Sequence, residues 1–313
     1  MTRPFPVKSR TVGTVAVLAA FVLGACGSGK SSTSTAAGKS LVIGSAPFPE
    51  SEIVANMYAG ALQADGYQVT VRSGLGQREI YLPALEQGGK NNGIDLVPEY
   101  VGTLLEYVNK GAGEASGDLD ATATKLRARL DPMGLTALTP SPAADQNAFA
   151  VTKATADKDK LKKLSDLVPY ASNMTLGAGP ECPTRPFCQP GLEKTYGLKF
   201  KTFRVLDSGG PKTIDALVAG DIDVGLVFSS DGSVAAKNLV VLDDDKKLQT
   251  VDNIVPAIRK DVVDDTIRKD LDKVSAALNT PDLIQLNKQA SVDKADPDVL
   301  AKAWLQQHGF TKK

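Results

Sequence analysis

Histidine is almost absent. One residue, His308, occurs in 313, and it sits close to the C-terminus. A Ser-His-Asp triad would have to recruit that residue. No Gly-x-Ser-x-Gly turn leads into a helical pattern, and no pair of carboxylates is marked out by its spacing. The chain therefore reads as a non-enzyme with no cofactor and no assigned metal. An excess of one charge is missing as well: 36 basic side chains stand against 36 acidic ones. That balance offers nothing to nucleic acid or another polyanion. Only 5% of the residues are aromatic, so where the few rings fall carries weight. Cysteine is limited to Cys26, Cys182 and Cys188.

What is present begins with an export segment. Arg3, Lys8 and Arg10 precede a short apolar stretch over residues 11–23, too short to span a bilayer comfortably. The stretch ends in LGAC, residues 23–26. This resembles a lipobox, which implies a signal peptide over 1–25 and Cys26 as the acylated first residue of the mature protein. A plain secretory signal is the alternative. Residues 26–39, rich in Ser, Thr, Gly and Ala, read as a flexible tether. Residues 24–31 also satisfy the P-loop pattern letter for letter. A working P-loop follows a strand and opens a helix, whereas this one follows an export segment and opens a linker. In an oxidising compartment Cys182 and Cys188, in ECPTRPFCQP, are expected to pair; Cys-x5-Cys without a nearby histidine is a poor zinc spacing.

From residue 41 the pattern alternates. Strand 41–45, helical spacing of Ile53, Val54, Met57, Tyr58, Ala61 and Leu62, strand 67–73, a helix from Arg78, strand 94–97 stopping at Pro98, and a helix over 99–109 predict a parallel sheet with helices on its faces. A second unit of the same logic begins with strand 147–152 and includes strands near 174–179, 200–206 and 222–228. Residues 239–245 lead out of it to a strand at 253–260 and three helical patterns. In such sheets ligands bind outside the carboxyl ends of the strands. Phe48, the 74–78 glycine turn and Tyr100 lie there. Two strands repeat one design: Tyr100 follows Asp95 by five residues, and Phe228 follows Asp223 by five.

IGSAPFPESEIVANMYAGAL, REIYLPALEQG, IDLVPEYVGTLL, DQNAFAVT, GLEKTYGLKF and ALVAGDIDVGLVFSSDG resemble the substrate-binding proteins of ABC importers for glycine betaine, carnitine and choline. The resemblance implies an α/β chain with the type II periplasmic-binding-protein fold: two α/β lobes with a ligand cleft between them, lobe 1 over 40–144 and 245–313 and lobe 2 over 145–244. It implies a monomer that captures a small ligand and works with an ABC permease and its ATPase. A ligand-sensing lipoprotein without a transporter is the alternative. In the family, aromatic rings cage a trimethylammonium head, whose charge suits ring faces, and Tyr100 and Phe228 match cage positions. Val97, Ile214 and Phe228 depart from the family's fuller cage, so the resemblance implies a depleted cage suited to a bulkier, flatter or less cationic ligand. Tyr81 either fills part of the gap or is core. Arg78 is either a donor to a ligand carboxylate or a surface residue paired with Glu79. Asp145 and Asn147 mark hinge or pocket rim, Arg185 reads as loop decoration, and Glu50 and Glu52 read as helix N-terminal acids.

Overall fold

The computed structural model describes residues 39–310. Cys26 and the export segment lie outside the described residues. In chain order the elements are β1 (Ser40–Gly44), α1 (Pro49–Ala64), β2 (Gln68–Arg72), α2 (Arg78–Gln87), β3 (Leu96–Tyr100), α3 (Val101–Val108), α4 (Leu119–Leu130) and β4 (Leu135–Ala137). There follow β5 (Asn147–Thr152), α5 (Lys153–Asp159), β6 (Thr175–Ala178), α6 (Gln189–Gly191), β7 (Thr202–Val205), α7 (Pro211–Ala219), β8 (Val224–Phe228), α8 (Ser233–Ala236) and β9 (Leu239–Leu242). The chain ends with β10 (Ile254–Arg259), α9 (Asp265–Ala277), α10 (Thr280–Ser291) and α11 (Pro297–Gln307).

The strands sort into two five-stranded sheets, β2-β1-β3-β10-β4 and β7-β6-β8-β5-β9. The two orders correspond strand for strand. In each, three parallel strands are followed by an antiparallel strand that has just arrived from the other lobe. The chain crosses between Ala137 and Asn147 and again between Leu242 and Ile254, and a bridge of Ala144 with Asn253 ties the crossings together. Helix α1 buries the apolar face its spacing predicts, with Ile53, Met57, Tyr58 and Leu62 at 1% exposure or less against Trp304 and Leu305 of α11.

The repeated Ile-Asp pair sets the register of both third strands. Asp95 accepts the Val42 amide of β1 at 2.9 Å, and Asp223 accepts the Thr175 amide of β6 at 2.8 Å. The preceding isoleucines press on glycines in those first strands: a Cβ on Gly44 would lie 2.6 Å from Ile94, and one on Gly177 2.5 Å from Ile222. Five residues on, each strand ends with its ring, Tyr100 or Phe228.

Four elements differ from expectation. The strand expected to stop at Pro98 runs through it to Tyr100, and α3 starts at Val101 rather than Glu99. Pro98 lies opposite Pro256 in the antiparallel β3–β10 pair. The Pro256 carbonyl accepts from Leu138 on the β4 side, so the prolines form a non-hydrogen-bonded pair and neither missing N–H is needed between them. Residues 135–137, expected as connection, form the edge strand β4. Residues 239–242, expected to leave the second unit, form its edge strand β9, antiparallel to β5. Cys182 and Cys188 are joined in a disulfide with Cα atoms 5.2 Å apart.

Candidate functional site

The loops after β1, β2 and β3 of lobe 1 and after β6, β7 and β8 of lobe 2 line one cavity, with about 840 Å³ of empty space including its open mouth. All six residues singled out from the sequence line it: Phe48, Arg78, Tyr81, Tyr100, Asn147 and Phe228. Tyr107 and Phe187 add two rings that had no sequence signal beyond being aromatic. Val97 does not reach the cavity. It is fully buried in the lobe 1 core.

Tyr100 and Phe228 do not meet directly. Phe48 stands between them, 6.4 Å from Tyr100 and 5.5 Å from Phe228 between ring centroids. The rings form a row that joins the lobes. Beyond Phe48 and Phe228 lies a second cavity, with about 950 Å³ of empty space including its open mouth, whose wall includes Glu50, Ile214, Asp231 and Asn287.

Arg78 is neither a surface residue nor paired with Glu79. Its Nε and Nη2 donate to Glu99 at 2.7 and 2.8 Å, and Nη2 also donates to Thr103. Glu99 is fully buried and takes a third bond from the Tyr81 hydroxyl at 2.6 Å. The glutamate at the end of β3 thus fixes both side chains on the cavity wall, which is why it stands beside Tyr100. A bidentate guanidinium–carboxylate pair balances the buried charge and sets both planes.

Glu50 lies in the first turn of α1, as expected of a helix N-terminal acid, and it is buried. Tyr100 donates its hydroxyl to Glu50 at 2.6 Å, and Ser230 of lobe 2 and Asn287 of α10 donate at 2.6 and 2.5 Å. Burial pushes the Glu50 carboxyl up from its ordinary range, against those three bonds. Asp145, in the first crossing, accepts the Ser230 amide at 2.9 Å and is pushed well up by burial and then by Glu50. Asp252, in the second crossing, accepts the amides of Gly102 and Thr103 at 2.9 and 3.0 Å, and burial raises it to about 7.

Further contacts span the cleft. Arg185, in the disulfide loop of lobe 2, forms an ion pair with Glu79 of α2 at 2.9 Å and lies 4.7 Å over the Tyr107 ring of α3. Gln77 donates to Ser208, which donates to Glu181. Arg185 is therefore a bridge between lobes and not loop decoration. Its role was hidden because Glu79 and Tyr107 are about a hundred residues away.

The family model for the substrate-binding domain of ABC-type glycine betaine transport systems matches residues 39–307. A glycine betaine-binding protein of Escherichia coli, YehZ, is 27% identical over 282 residues, covering 86% of this chain and 91% of that protein. A glycine-betaine-binding protein of Pseudomonas aeruginosa is 28% identical over 285 residues, covering 86% and 88%. A crystal structure described as a glycine betaine/carnitine/choline ABC transporter is similar at a TM-score of 0.67 and 26% identity, over 86% of this chain and 99% of its own.

Proposed function

We propose, on the premise that this chain belongs to the family of substrate-binding domains of ABC-type glycine betaine transport systems, that its interlobe cavity captures a small quaternary ammonium solute for delivery to an ABC permease and its ATPase. The family is one of solute-binding proteins, not enzymes. The observation that carries the ligand reading is the row Tyr100–Phe48–Phe228, built from both lobes at the ends of corresponding strands. A quaternary ammonium group has no N–H to donate, and aromatic faces attract it at roughly 0.5–2 kcal/mol per ring when desolvated. Rings 5.5 Å apart already touch each other. The ammonium therefore sits against the row and not inside it, with Tyr81, Tyr107 and Phe187 on the same cavity. Open space adjoins the row on either side of Phe48 and Phe228.

Closure is a hinge motion about the two crossings, with the ligand buried between lobes 40–144 plus 245–313 and 145–244. The mature chain acts as a monomer held by a lipid on Cys26 at the outer face of the cytoplasmic membrane. The basic start, short apolar stretch and LGAC support that placement. A thermal-shift screen with glycine betaine, choline, carnitine, proline and a set of aromatic small molecules tests the ligand class. A ligand at a hundred times its Kd adds about 2.7 kcal/mol, a shift that is easily read. The reading fails if no quaternary ammonium compound moves the midpoint while another class does.

A further inference from the structure

Four carboxyl groups line the interlobe cavity, Glu106, Asp145, Glu181 and Asp252, against two guanidinium groups, Arg78 and Arg185. Both cations are already matched, Arg78 by Glu99 and Arg185 by Glu79. None of the four carboxyls forms a salt bridge among the described residues. Their partners are neutral. Glu106 accepts the amides of Gly113 and Ala115, Asp252 those of Gly102 and Thr103, Asp145 the Ser230 amide and Ser229 hydroxyl, and Glu181 the Ser208 hydroxyl. Such bonds solvate a carboxylate but bring no positive charge, and a buried charge without a counter-charge is costly. Nor do these acids gather around a metal: among the described residues no group of three His, Cys, Asp or Glu is placed to hold one.

We infer that the ligand supplies the missing charge, so that the cavity selects a net cation, a quaternary ammonium alcohol of the choline type, over a carboxylate-bearing zwitterion of the betaine type. The inference rests on the quaternary ammonium reading of the site and narrows it. A zwitterion adds no net charge and brings one more carboxylate into a cavity that already has four. It would find spare N–H groups on Arg78 and Arg185, but each guanidinium already has its carboxylate. A cation lacks that conflict, and the Tyr100–Phe48–Phe228 row offers it ring faces.

Binding of a cation is then linked to proton release. Asp145 faces Glu50, Asp252 and Tyr100; Asp252 faces Arg78 and Glu99. Burial raises both aspartates, Asp252 to about 7. A cation beside them favours their charged forms, so near neutral pH protons leave as it binds, and its affinity rises with pH through that range.

Choline and glycine betaine are near-isosteric and differ chiefly in hydroxyl against carboxylate. Titration calorimetry on the mature chain carrying Cys26→Ala compares them, in buffers of different ionisation enthalpy to count protons. Choline is expected to bind at least tenfold tighter at pH 7.5, to release protons, and to tighten between pH 5.5 and 8. Asp145→Asn and Asp252→Asn should each weaken choline about tenfold and betaine less than threefold. The wild-type comparison stands even if an Asn variant fails to fold. Betaine binding as tightly as choline, or choline binding without proton release, overturns the inference and leaves the quaternary ammonium reading intact. If choline, betaine and carnitine all fail to bind, both fall together.

Discussion

Replacing Arg185 with alanine should shorten the time a ligand stays in the cleft. The side chain comes from lobe 2, yet its two partners, Glu79 and Tyr107, belong to lobe 1. These contacts exist only when the lobes are together, so they weight the closed state against the open one. The ion pair is modest, because Glu79 is 48% exposed while Arg185 is 14% exposed; an exposed pair contributes about 0.5 kcal/mol. The guanidinium stacked on Tyr107 in a largely covered position adds about 1–1.5 kcal/mol. Together, about 1.5–2 kcal/mol corresponds to roughly ten- to thirty-fold in affinity. Most of it should appear in the dissociation rate, since closure traps a ligand that has already arrived. Stopped-flow release of bound ligand into excess competitor measures this. Arg185→Lys keeps the charge but not the planar stack and should fall between wild type and alanine. A double-mutant cycle with Tyr107→Leu should show coupling near 1 kcal/mol. An off-rate within twofold of wild type for Arg185→Ala, or a loss confined to the on-rate, would refute the latch.

Other expectations follow from the same geometry. Tyr100→Ala and Phe228→Ala should each weaken ligand binding roughly ten- to a hundred-fold, about 1–3 kcal/mol, with the melting point little changed for Phe228→Ala and lowered for Tyr100→Ala, which leaves buried Glu50 a donor short; normal binding by both variants would mark the rings as core. Cys26→Ala should move the protein from the membrane to the aqueous fraction, and unchanged membrane association in fractionation would exclude a lipid at this cysteine. Thiol counting on the denatured Cys26→Ala protein, isolated without reductant, should find none; two would exclude the Cys182–Cys188 bridge. Asp252 sets a pH slope. Burial raises it from 3.8 to about 7, so between those values the folded chain holds a proton the unfolded chain has shed, and stability falls as pH climbs. Asp252→Asn should therefore gain more stability over wild type at pH 8 than at pH 4 in urea melts, and an equal gain at both would contradict the assignment.

The fold was legible because its signals are local. Strand, glycine turn and helical spacing alternate along the chain, and α1 needed no more than Ile53, Met57, Tyr58 and Leu62 at the right intervals. The errors fall where pairing is non-local. Pro98 looks like a strand stop until Pro256, far along the chain, is found opposite it. The short edge strands β4 and β9 pair antiparallel with strands arriving from the other lobe, so they do not obey the strand–helix–strand rhythm that reveals the others.

The site divides along the same line. Its rings could be found because Asp95 and Asp223 anchor corresponding strands, and a fixed count from each aspartate places an aromatic at the cavity. Its charges could be found only in part. Arg78 and Asp145 stand out in the sequence, the second as hinge or pocket rim, whereas Asp252 lies in a polar stretch of the second crossing and Glu50 sits in a helix first turn where an acid is ordinary. Only long-range folding buries them, through Ser230 of lobe 2 for Glu50 and Asp145 and through the α3 amides of its own lobe for Asp252. In the proposed closure the crossings are also the segments about which the lobes would turn. The acids that would sense the charge of a ligand therefore sit at the hinge, while the rings that would hold its methyl groups sit at the strand ends. A cation that relieves Asp145 and Asp252 acts on the pivot itself, so the choice of ligand and the closing of the cleft become one event.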